Sequence, residues 1–146
     1  MNSLDSDLWV RVETRAAQKE FPVAHPVVHF EFWSQSPEKV SSFYEKLFGW
    51  QIRHDREIDY RLVETVDANG QGGINGGIMK PQREGPWPGK LCFYILVDEL
   101  APMVKKIKDA GGKIHVERQE VPNYGEFALF EDPDGRVLGI WKTYKT

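Results

Sequence analysis

The sequence contains a single cysteine, Cys92, among its 146 residues. One thiol cannot form a disulfide within the chain, and it cannot supply the paired cysteines of a CxxC zinc site. A chain of this length can bury enough surface to fold without either kind of cross-link. We therefore expect a fold that depends on its hydrophobic core, in a reducing compartment.

An excess of basic charge is also absent, because 19 Lys and Arg residues are balanced by 22 Asp and Glu residues, for a formal net charge of -3. Proteins that bind phosphate backbones usually present a net basic surface, so neither nucleic acid nor an anionic membrane is expected as a partner. No apolar run approaches the roughly 20 residues that cross a bilayer. The first residues are polar and lack the apolar segment of a signal peptide, and these absences together predict a cytoplasmic protein.

The composition that remains is that of a soluble globular domain, with 40% hydrophobic, 28% charged and 12% aromatic residues. Residues 1–25 show no clear periodicity and are expected to form an N-terminal arm, whereas residues 26–146 are expected to form one domain. A segment rich in proline and glycine, which also contains Trp87, divides this domain into modules at about residues 26–80 and 89–143.

The first module begins with an alternating apolar segment from Val27 to Trp33, which predicts a strand with one face in the core. Ser36-Pro37-Glu38 is typical of a helix N-terminus, since it combines a capping residue, a first-turn proline and an acidic side chain. Gly49 is expected to end that helix. Segments rich in strand-forming residues follow, up to Lys80.

The second module repeats this order. Leu91 to Val97 alternates in the same way, Gly111 and Gly112 end the next predicted helix, and further strands follow up to Lys142. Gly49 and Gly111, which end the two helices, are about 62 residues apart. This internal duplication predicts an α+β fold made of two tandem βαβββ modules.

Three segments carry a resemblance to a known family: HFEFWSQSPEKVSSFYEKLFGW at residues 29–50, VDEL with KIKDAGGKI within residues 97–114, and FALFEDPDGRVLGIW at residues 127–141. They resemble the vicinal oxygen chelate superfamily, which includes glyoxalase I, bleomycin-resistance proteins and extradiol dioxygenases. The resemblance implies that the modules curl one mixed sheet into a cup with the helices on its outer face. It also implies a homodimer and a ligand, with a metal where one is present, inside the cup.

Metal-dependent relatives place two ligands in each module, usually His, Gln or Glu, one on the first strand and one on the last. By this resemblance His29 stands at the first-strand position of module one, and Cys92 or Leu91 stands at that of module two. The last-strand positions fall on Gly139 and within residues 74–77. Because glycine has no side-chain donor, we expect neither a metal nor another cofactor.

The faces that look into the predicted cup carry the candidate ligand-binding residues: His29, Glu31, Trp33, Cys92, Tyr94 and Trp141. We expect them to bind a small organic molecule by stacking and hydrogen bonds, since aromatic side chains offer large contact areas with polar tips. No catalytic residue is assigned. The opposite faces, with Phe30, Phe32, Leu91 and Phe93 among them, are expected to pack under the helices.

Two alternatives remain open at the level of sequence. The first is a metal-dependent lyase, isomerase or dioxygenase that uses His29 together with ligands that the pattern does not reveal. The second is a non-catalytic interaction scaffold, in which the cup would be filled by its own side chains. A reactive role for Cys92 is disfavoured, because no neighbouring basic residue in the sequence would lower the pKa of its thiol.

Overall fold

The computed structural model describes residues 24–67, 69–81 and 90–145. Most of the predicted N-terminal arm and the linker segment with Trp87 therefore lie outside the described residues. The helices and strands of the described residues are β1 (Val27–Trp33), α1 (Pro37–Phe48), β2 (Gln51–Asp55), β3 (Tyr60–Glu64), β4 (Gly76–Met79), β5 (Leu91–Leu96), α2 (Leu100–Asp109), β6 (Lys113–Val121), β7 (Gly125–Glu131) and β8 (Val137–Thr143). The predicted α+β fold with two βαβββ modules is confirmed.

All eight strands form one mixed sheet in the order β2-β3-β4-β1-β5-β8-β7-β6. In each module the first strand pairs in parallel with the last, as β1 with β4 and β5 with β8. The first strands of the two modules pair antiparallel at the centre of the sheet, where His29 is opposite Tyr94 and Glu31 is opposite Cys92. The duplication seen in the sequence is therefore a duplication of strand order around this central pair.

The sheet curls so that its opposite edges approach each other. Strands β2 and β6 are the two edges, yet the Tyr124 hydroxyl in the β6–β7 turn donates a hydrogen bond to Asp55 at the end of β2, over 2.9 Å. A contact between opposite edges requires strong curvature. The inner face of the curled sheet is the cup that the resemblance implied.

Helix α1 begins and ends where the sequence predicts. Ser36 holds the N-cap position and Pro37 follows it, although the Ser36 side chain makes no capping hydrogen bond. Gly49 ends the helix with φ of 67°, a left-handed conformation that residues with a Cβ rarely adopt. The backbone therefore turns sharply from α1 into β2, which folds the helix back over the sheet.

The helix-facing side of the sheet has a different core in each module. In module two, α2 packs through aliphatic side chains, with Leu100, Val104 and Ile140 almost fully buried. In module one, α1 packs through aromatic rings, among them the stacked pair of Tyr44 and Trp50 with centroids 4.7 Å apart. None of the described helices is long and apolar enough to cross a membrane.

The expectation that the whole apolar face packs under the helices is wrong for one end of β5. Leu91 is 50% exposed and Phe93 is 41% exposed. They lie opposite Phe32 and Phe30 in the central strand pair. Alternation fixes the face on which a side chain lies, but it does not determine whether a helix extends far enough to cover it.

Candidate ligand-binding site

A buried carboxylate lies at the floor of the cup. Glu31, on the central strand β1, is only 5% exposed and accepts three hydrogen bonds. The indole nitrogen of Trp33 donates to Oε1 over 2.5 Å, the Tyr94 hydroxyl donates to Oε1 over 2.9 Å, and the Tyr60 hydroxyl donates to Oε2 over 2.7 Å. A buried carboxyl group is tolerated when hydrogen bonds satisfy it, as these do.

Two glycines make room for the tyrosine rings that bond Glu31. A Cβ added at Gly77 on β4 would lie 1.9 Å from the Tyr60 hydroxyl oxygen, and one at Gly139 on β8 would lie 2.2 Å from the Tyr94 ring. Neither distance is compatible with a side chain, so each glycine is required by the tyrosine above it. Gly139, and the segment of residues 74–77 that contains Gly77, are where the resemblance implies last-strand metal ligands.

His29 extends the network towards one side of the cup. Its Nε2 atom lies 2.7 Å from the Tyr60 hydroxyl oxygen. Because the proton of that hydroxyl is directed to Glu31, His29 must donate from Nε2, which leaves Nδ1 with a free lone pair. No described residue bonds Nδ1, and no buried side-chain nitrogen or oxygen of the described residues lacks a partner. Nδ1 therefore lies at accessible surface.

Burial controls the electrostatics of this network. It lowers the pKa of His29 from 6.5 to about 4, so the imidazole is neutral near pH 7. Burial raises the pKa of Glu31, and the hydrogen bonds from Trp33, Tyr60 and Tyr94 act against that rise. Burial and the charge of Glu31 also raise the pKa of Tyr60 and of Tyr94 well above 10.0. Both hydroxyls therefore remain protonated as donors.

The structure brings most of the predicted site residues together. Trp33, Cys92 and Tyr94 belong to one buried cluster with Leu129 and Val137, and Trp141 packs against it. Trp33 and Tyr94 are 7% and 5% exposed, so they form the floor of the cup. Trp141 is half-buried and its indole nitrogen donates to Thr143. Contact of these residues with a ligand remains a prediction.

Sequence reasoning missed Tyr60 and Phe127. Tyr60 bonds both Glu31 and His29, and Phe127 meets the Tyr94 ring edge-on with centroids 5.9 Å apart. Gly77 was the sequence feature that could have pointed to Tyr60, because a glycine inside a buried strand often marks the place where a bulky neighbour packs. That signal does not say which residue fills the space, since the filler comes from a different strand.

The donors inside the cup do not suit a metal ion. The most favourable set in the sequence is His29, Glu31 and Cys92. Both carboxylate oxygens of Glu31 already accept hydrogen bonds from groups that are not metal ligands, and burial raises the pKa of the Cys92 thiol to about 12. A metal would have to displace hydrogen-bond donors from Glu31 and a proton from Cys92 before either could bind it. The described residues contain no group of three or more His, Cys, Asp or Glu that could hold a metal.

A second concave region lies at the rim, where the opposite sheet edges meet. This cavity of about 530 Å³ is lined by residues of the β2–β3 and β6–β7 turns: Asp55, Glu57, Ile58, Pro122, Asn123 and Tyr124. It is open, and none of the predicted site residues lines it. This cavity is therefore separate from the network of Glu31 and His29.

The fold and the cup define a class of protein in which paired βαβββ modules enclose a site between them. Residues 27–140 match the family described as the Glyoxalase/Bleomycin resistance protein/Dioxygenase superfamily. The chain belongs to this superfamily, and the resemblance found in the sequence is confirmed.

Two curated relatives carry functional names. The CFP32 protein of Mycobacterium bovis, named as a candidate glyoxylase, is 30% identical over 117 residues, which cover 77% of this chain and 42% of that protein. The anthracycline biosynthesis protein DnrV of Streptomyces peucetius is 21% identical over 126 residues, which cover 77% of this chain and 45% of DnrV. This chain thus spans less than half the length of either relative.

Two solved structures illustrate the shared fold. A variant of the methylmalonyl-CoA epimerase of Streptomyces coelicolor, in complex with 2-nitronate-propionyl-CoA, has a TM-score of 0.62 at 14% identity, covering 84% of this chain and 97% of that one. A superfamily member from Vibrio splendidus has a TM-score of 0.57 at 14% identity, covering 82% of this chain and 99% of that one. At these identities the likeness supports the fold alone.

Proposed function

We propose that the cup binds a small organic molecule without a metal ion. The observation that carries this proposal is the pair of tyrosines over Gly77 and Gly139, whose hydroxyls donate to Glu31 at the floor of the cup. Three donors occupy three of the roughly four lone-pair directions of this carboxylate, which leaves little of it for a metal and gives the cup a polar floor.

The groups that would contact the molecule lie above this floor. Nδ1 of His29 offers an acceptor at accessible surface, and the half-buried rings of Trp141 and Phe127 offer apolar contact area. An apolar surface with one well-placed polar group is the usual composition of a small-molecule site. This arrangement favours a flat organic molecule with a hydroxyl or amine that donates to His29.

Fluorescence titration with daunorubicin, a flat hydroxylated anthracycline, tests the proposal. This probe is chosen because a relative is named for anthracycline biosynthesis. We expect the same affinity in EDTA and in buffer with added nickel or zinc. We also expect Trp141→Leu to weaken binding about fivefold, since an aromatic contact contributes about 1 kcal/mol.

Trp50→Phe is the matched control, because Trp50 packs against Tyr44 on the opposite, helix-facing side of the sheet and should leave the affinity unchanged. Binding that appears only after addition of a divalent metal would instead favour a metal-dependent enzyme. A folded protein that binds neither daunorubicin nor propionyl-CoA would favour an interaction scaffold.

The homodimer implied by the family is likewise a proposal. Large apolar side chains are exposed on the helix-facing side: Phe43, Leu47, Phe48, Leu91 and Phe93. Exposed apolar residues of this size are typical of surfaces that other protein covers. Sedimentation velocity measures the assembly state directly, and a monomer at every accessible concentration would contradict the proposal.

A further inference from the structure

The two modules are joined along one pair of strands at the centre of the sheet. In the order β2-β3-β4-β1-β5-β8-β7-β6, module one ends at β1 and module two begins at β5. The edge strands β2 and β6 each lie three strands from this junction, which is about 14 Å along the sheet at about 4.8 Å per strand. A small rotation about the β1–β5 pair therefore moves the two edges much further than it moves the floor of the cup.

Away from that junction, one hydrogen bond joins the modules within the described residues. The Tyr124 hydroxyl in the β6–β7 turn donates to Oδ2 of Asp55 at the end of β2, over 2.9 Å. The ion pairs of the described residues each lie within a single module. The other hydrogen bonds between the modules, such as that from Tyr94 to Glu31, involve the central strands or residues next to them. The bond between Tyr124 and Asp55 therefore lies where a single contact most affects the distance between the edges.

Each partner of this bond is held in place by its own module. Oδ1 of Asp55 accepts a hydrogen bond from the backbone nitrogen of Glu57, over 3.1 Å, which fixes the carboxylate within the β2–β3 turn. The backbone of Tyr124 donates to Val121 and accepts from Tyr144, which fixes the tyrosine against the ends of β6 and β8. Because each side chain is oriented by its own turn, we expect loss of the bond to free the edges without unfolding either turn.

The two turns that meet at this bond share an uncommon backbone conformation. Asp59 in the β2–β3 turn has φ of 49°, and Asn123 in the β6–β7 turn has φ of 73°. Among the described residues, these are the two that adopt positive φ without being glycine. Such conformations are uncommon, persist where the surrounding structure imposes them, and concentrate at segments that carry a function. Both turns therefore hold a specific shape on opposite sides of the same gap.

The contact between the turns is not sealed by packing. The turns leave an open cavity of about 530 Å³ between them, with Asp55, Ile58, Pro122 and Tyr124 among the residues that line it. Asp55 is only partly buried and stays in contact with water. A hydrogen bond in that setting contributes little net free energy, because water can replace either partner. The bond can therefore break and re-form readily, as a reversible contact requires.

We propose that Tyr124 and Asp55 form a clasp that holds the two edges of the cup together and whose release lets the bound molecule enter and leave. With the clasp closed, the rim between β2 and β6 narrows the way to the floor at Glu31. With the clasp open, the modules rotate about the β1–β5 pair and the gap between the edges widens. The inference rests on the proposed function only for what passes through the gap, and the clasp itself can be tested in ligand-free protein.

The separation of the edges is measured between spin labels on a Gln51→Cys, Gln119→Cys background. Both glutamines are exposed, one on β2 and one on β6, whereas the native Cys92 is 1% exposed and escapes labelling. Tyr124→Glu is the opening variant, because it places a second carboxylate against Asp55 and like charges repel. We expect the label distance to increase by about 2 Å or more, as a rotation of about 10° gives at about 14 Å from the junction. The same distances in wild-type and Tyr124→Glu protein would overturn the proposal.

Tyr144→Glu is the matched control for this measurement. The Tyr144 hydroxyl also donates to a surface carboxylate, that of Glu120, but both residues belong to module two. The variant therefore makes the same change of charge beside a carboxylate without breaking a bond between the modules. We expect the distances between the labels at positions 51 and 119 to equal those of wild-type protein. A shift as large as that of Tyr124→Glu would mean that the edges respond to any damage at this surface, and the proposal would fall.

Access to the floor of the cup is measured with TEMPOL, a soluble nitroxide with a single six-membered ring, which speeds the relaxation of protons that it can approach. The reporter is the indole N–H proton of Trp33, which is 7% exposed, and its signal is identified by its loss in Trp33→Phe. We expect Tyr124→Glu to increase the relaxation enhancement about fivefold, the change in open population that loss of one such bond gives. Tyr144→Glu should leave the enhancement unchanged. Equal enhancement in Tyr124→Glu and wild-type protein would overturn the control of entry by the clasp.

Tyr124→Phe provides a second variant should Tyr124→Glu fold poorly. It removes the hydroxyl that donates to Asp55 without adding charge, so both readings are expected to shift in the same direction. Wild-type values for both readings in Tyr124→Phe would overturn the proposal. Because neither measurement uses a ligand, failure of the clasp and failure of the daunorubicin titration are distinguishable.

Discussion

The two modules place the same pair of residues in the cup but use them differently. Tyr60 lies over Gly77 in module one and Tyr94 lies over Gly139 in module two, and both hydroxyls donate to Glu31. Only the Tyr60 hydroxyl also accepts a hydrogen bond from His29. The duplicated architecture therefore holds an asymmetric hydrogen-bond network, in which Tyr94 bonds Glu31 alone and Tyr60 connects Glu31 to His29.

The helix-facing cores show a related contrast. Module two buries aliphatic side chains under α2, whereas module one stacks aromatic rings under α1 and buries only Ser41 of that helix. Aliphatic side chains interdigitate at high density, while stacked rings leave more of the helix surface uncovered.

The largest expected effect comes from removing the group that both modules share. Glu31→Ala leaves two tyrosine hydroxyls and one indole nitrogen without their acceptor, and it opens a cavity at the floor of the cup. We expect a loss of about 4 kcal/mol in the free energy of unfolding. Urea denaturation measures it.

Glu126→Ala is the matched control for that change. Glu126 is also buried, at 9% exposed, but its partner Arg118 lies at the surface and can be rehydrated. A loss of about 1 kcal/mol is expected. Equal losses of unfolding free energy in the two variants would show that the Glu31 network contributes no more to stability than the pair of Glu126 and Arg118.

The two glycines offer a way to separate the modules. An added Cβ at Gly139 would contact the Tyr94 ring close to its bond with Cβ, with Cδ1 at 2.2 Å and Cγ at 3.1 Å. One at Gly77 would contact Tyr60 at the hydroxyl end of its ring. We expect Gly139→Ala to cost about 3 kcal/mol, because the ring cannot swing away, and Gly77→Ala to cost about 1 kcal/mol.

The substitution with the smaller effect on stability should have the larger effect on His29. Gly77→Ala displaces the Tyr60 hydroxyl, so its hydrogen bond with His29 is expected to be lost, while a folded fraction of Gly139→Ala keeps that bond. Thermal unfolding measures the stability, and nitrogen NMR of protein labelled with ¹⁵N-histidine reports the bond. A larger stability loss in Gly77→Ala than in Gly139→Ala would contradict this account of the two tyrosines. So would loss of the bond between His29 and Tyr60 in Gly139→Ala but not in Gly77→Ala.

A smaller effect is expected from pH, and it should be confined to module one. The pKa of His29 is about 4 in the folded protein and 6.5 in its ordinary state, so the unfolded chain binds more protons between these values. Stability due to His29 is therefore complete above about pH 6.5 and is lost as the pH falls towards about 4. We expect wild-type protein to lose about 2 kcal/mol relative to His29→Gln over this window, after allowance for partial exposure.

The raised pKa of Glu31 acts in the opposite direction, since protonation of Glu31 on acidification stabilises the folded state. This contribution is present in both proteins and so largely cancels in the comparison with His29→Gln. Parallel stability curves for the two proteins across the window would contradict the shifted pKa of His29.

The sequence was sufficient to predict the order of elements and the inward face of β1. Alternation and the caps around Pro37 and Gly49 depend on neighbours along the chain, so they can be read locally. The position of Glu31 beside His29 and Trp33 follows from the same alternation. Given the family resemblance, the sequence also indicated ligand positions without a donor at Gly139 and within residues 74–77.

The role of Tyr60 could not be predicted, because it depends on how three strands come together. Tyr60 is 29 residues from Glu31 and 31 from His29, and it reaches them only because β3 pairs with β4 and β4 pairs with β1. The exposure of Leu91 and Phe93 was missed for a similar reason, since it depends on where α1 and α2 end above the sheet.

Metal content is the most direct measurement of whether the Glu31 network stands in place of a metal. Protein purified without chelator and then incubated with nickel, zinc, iron and manganese salts can be analysed by native mass spectrometry and elemental analysis. We predict an apo mass and no stoichiometric metal, because three of the roughly four lone-pair directions of Glu31 already accept hydrogen bonds. One tightly held divalent ion per chain that is lost in His29→Ala would contradict the metal-free cup.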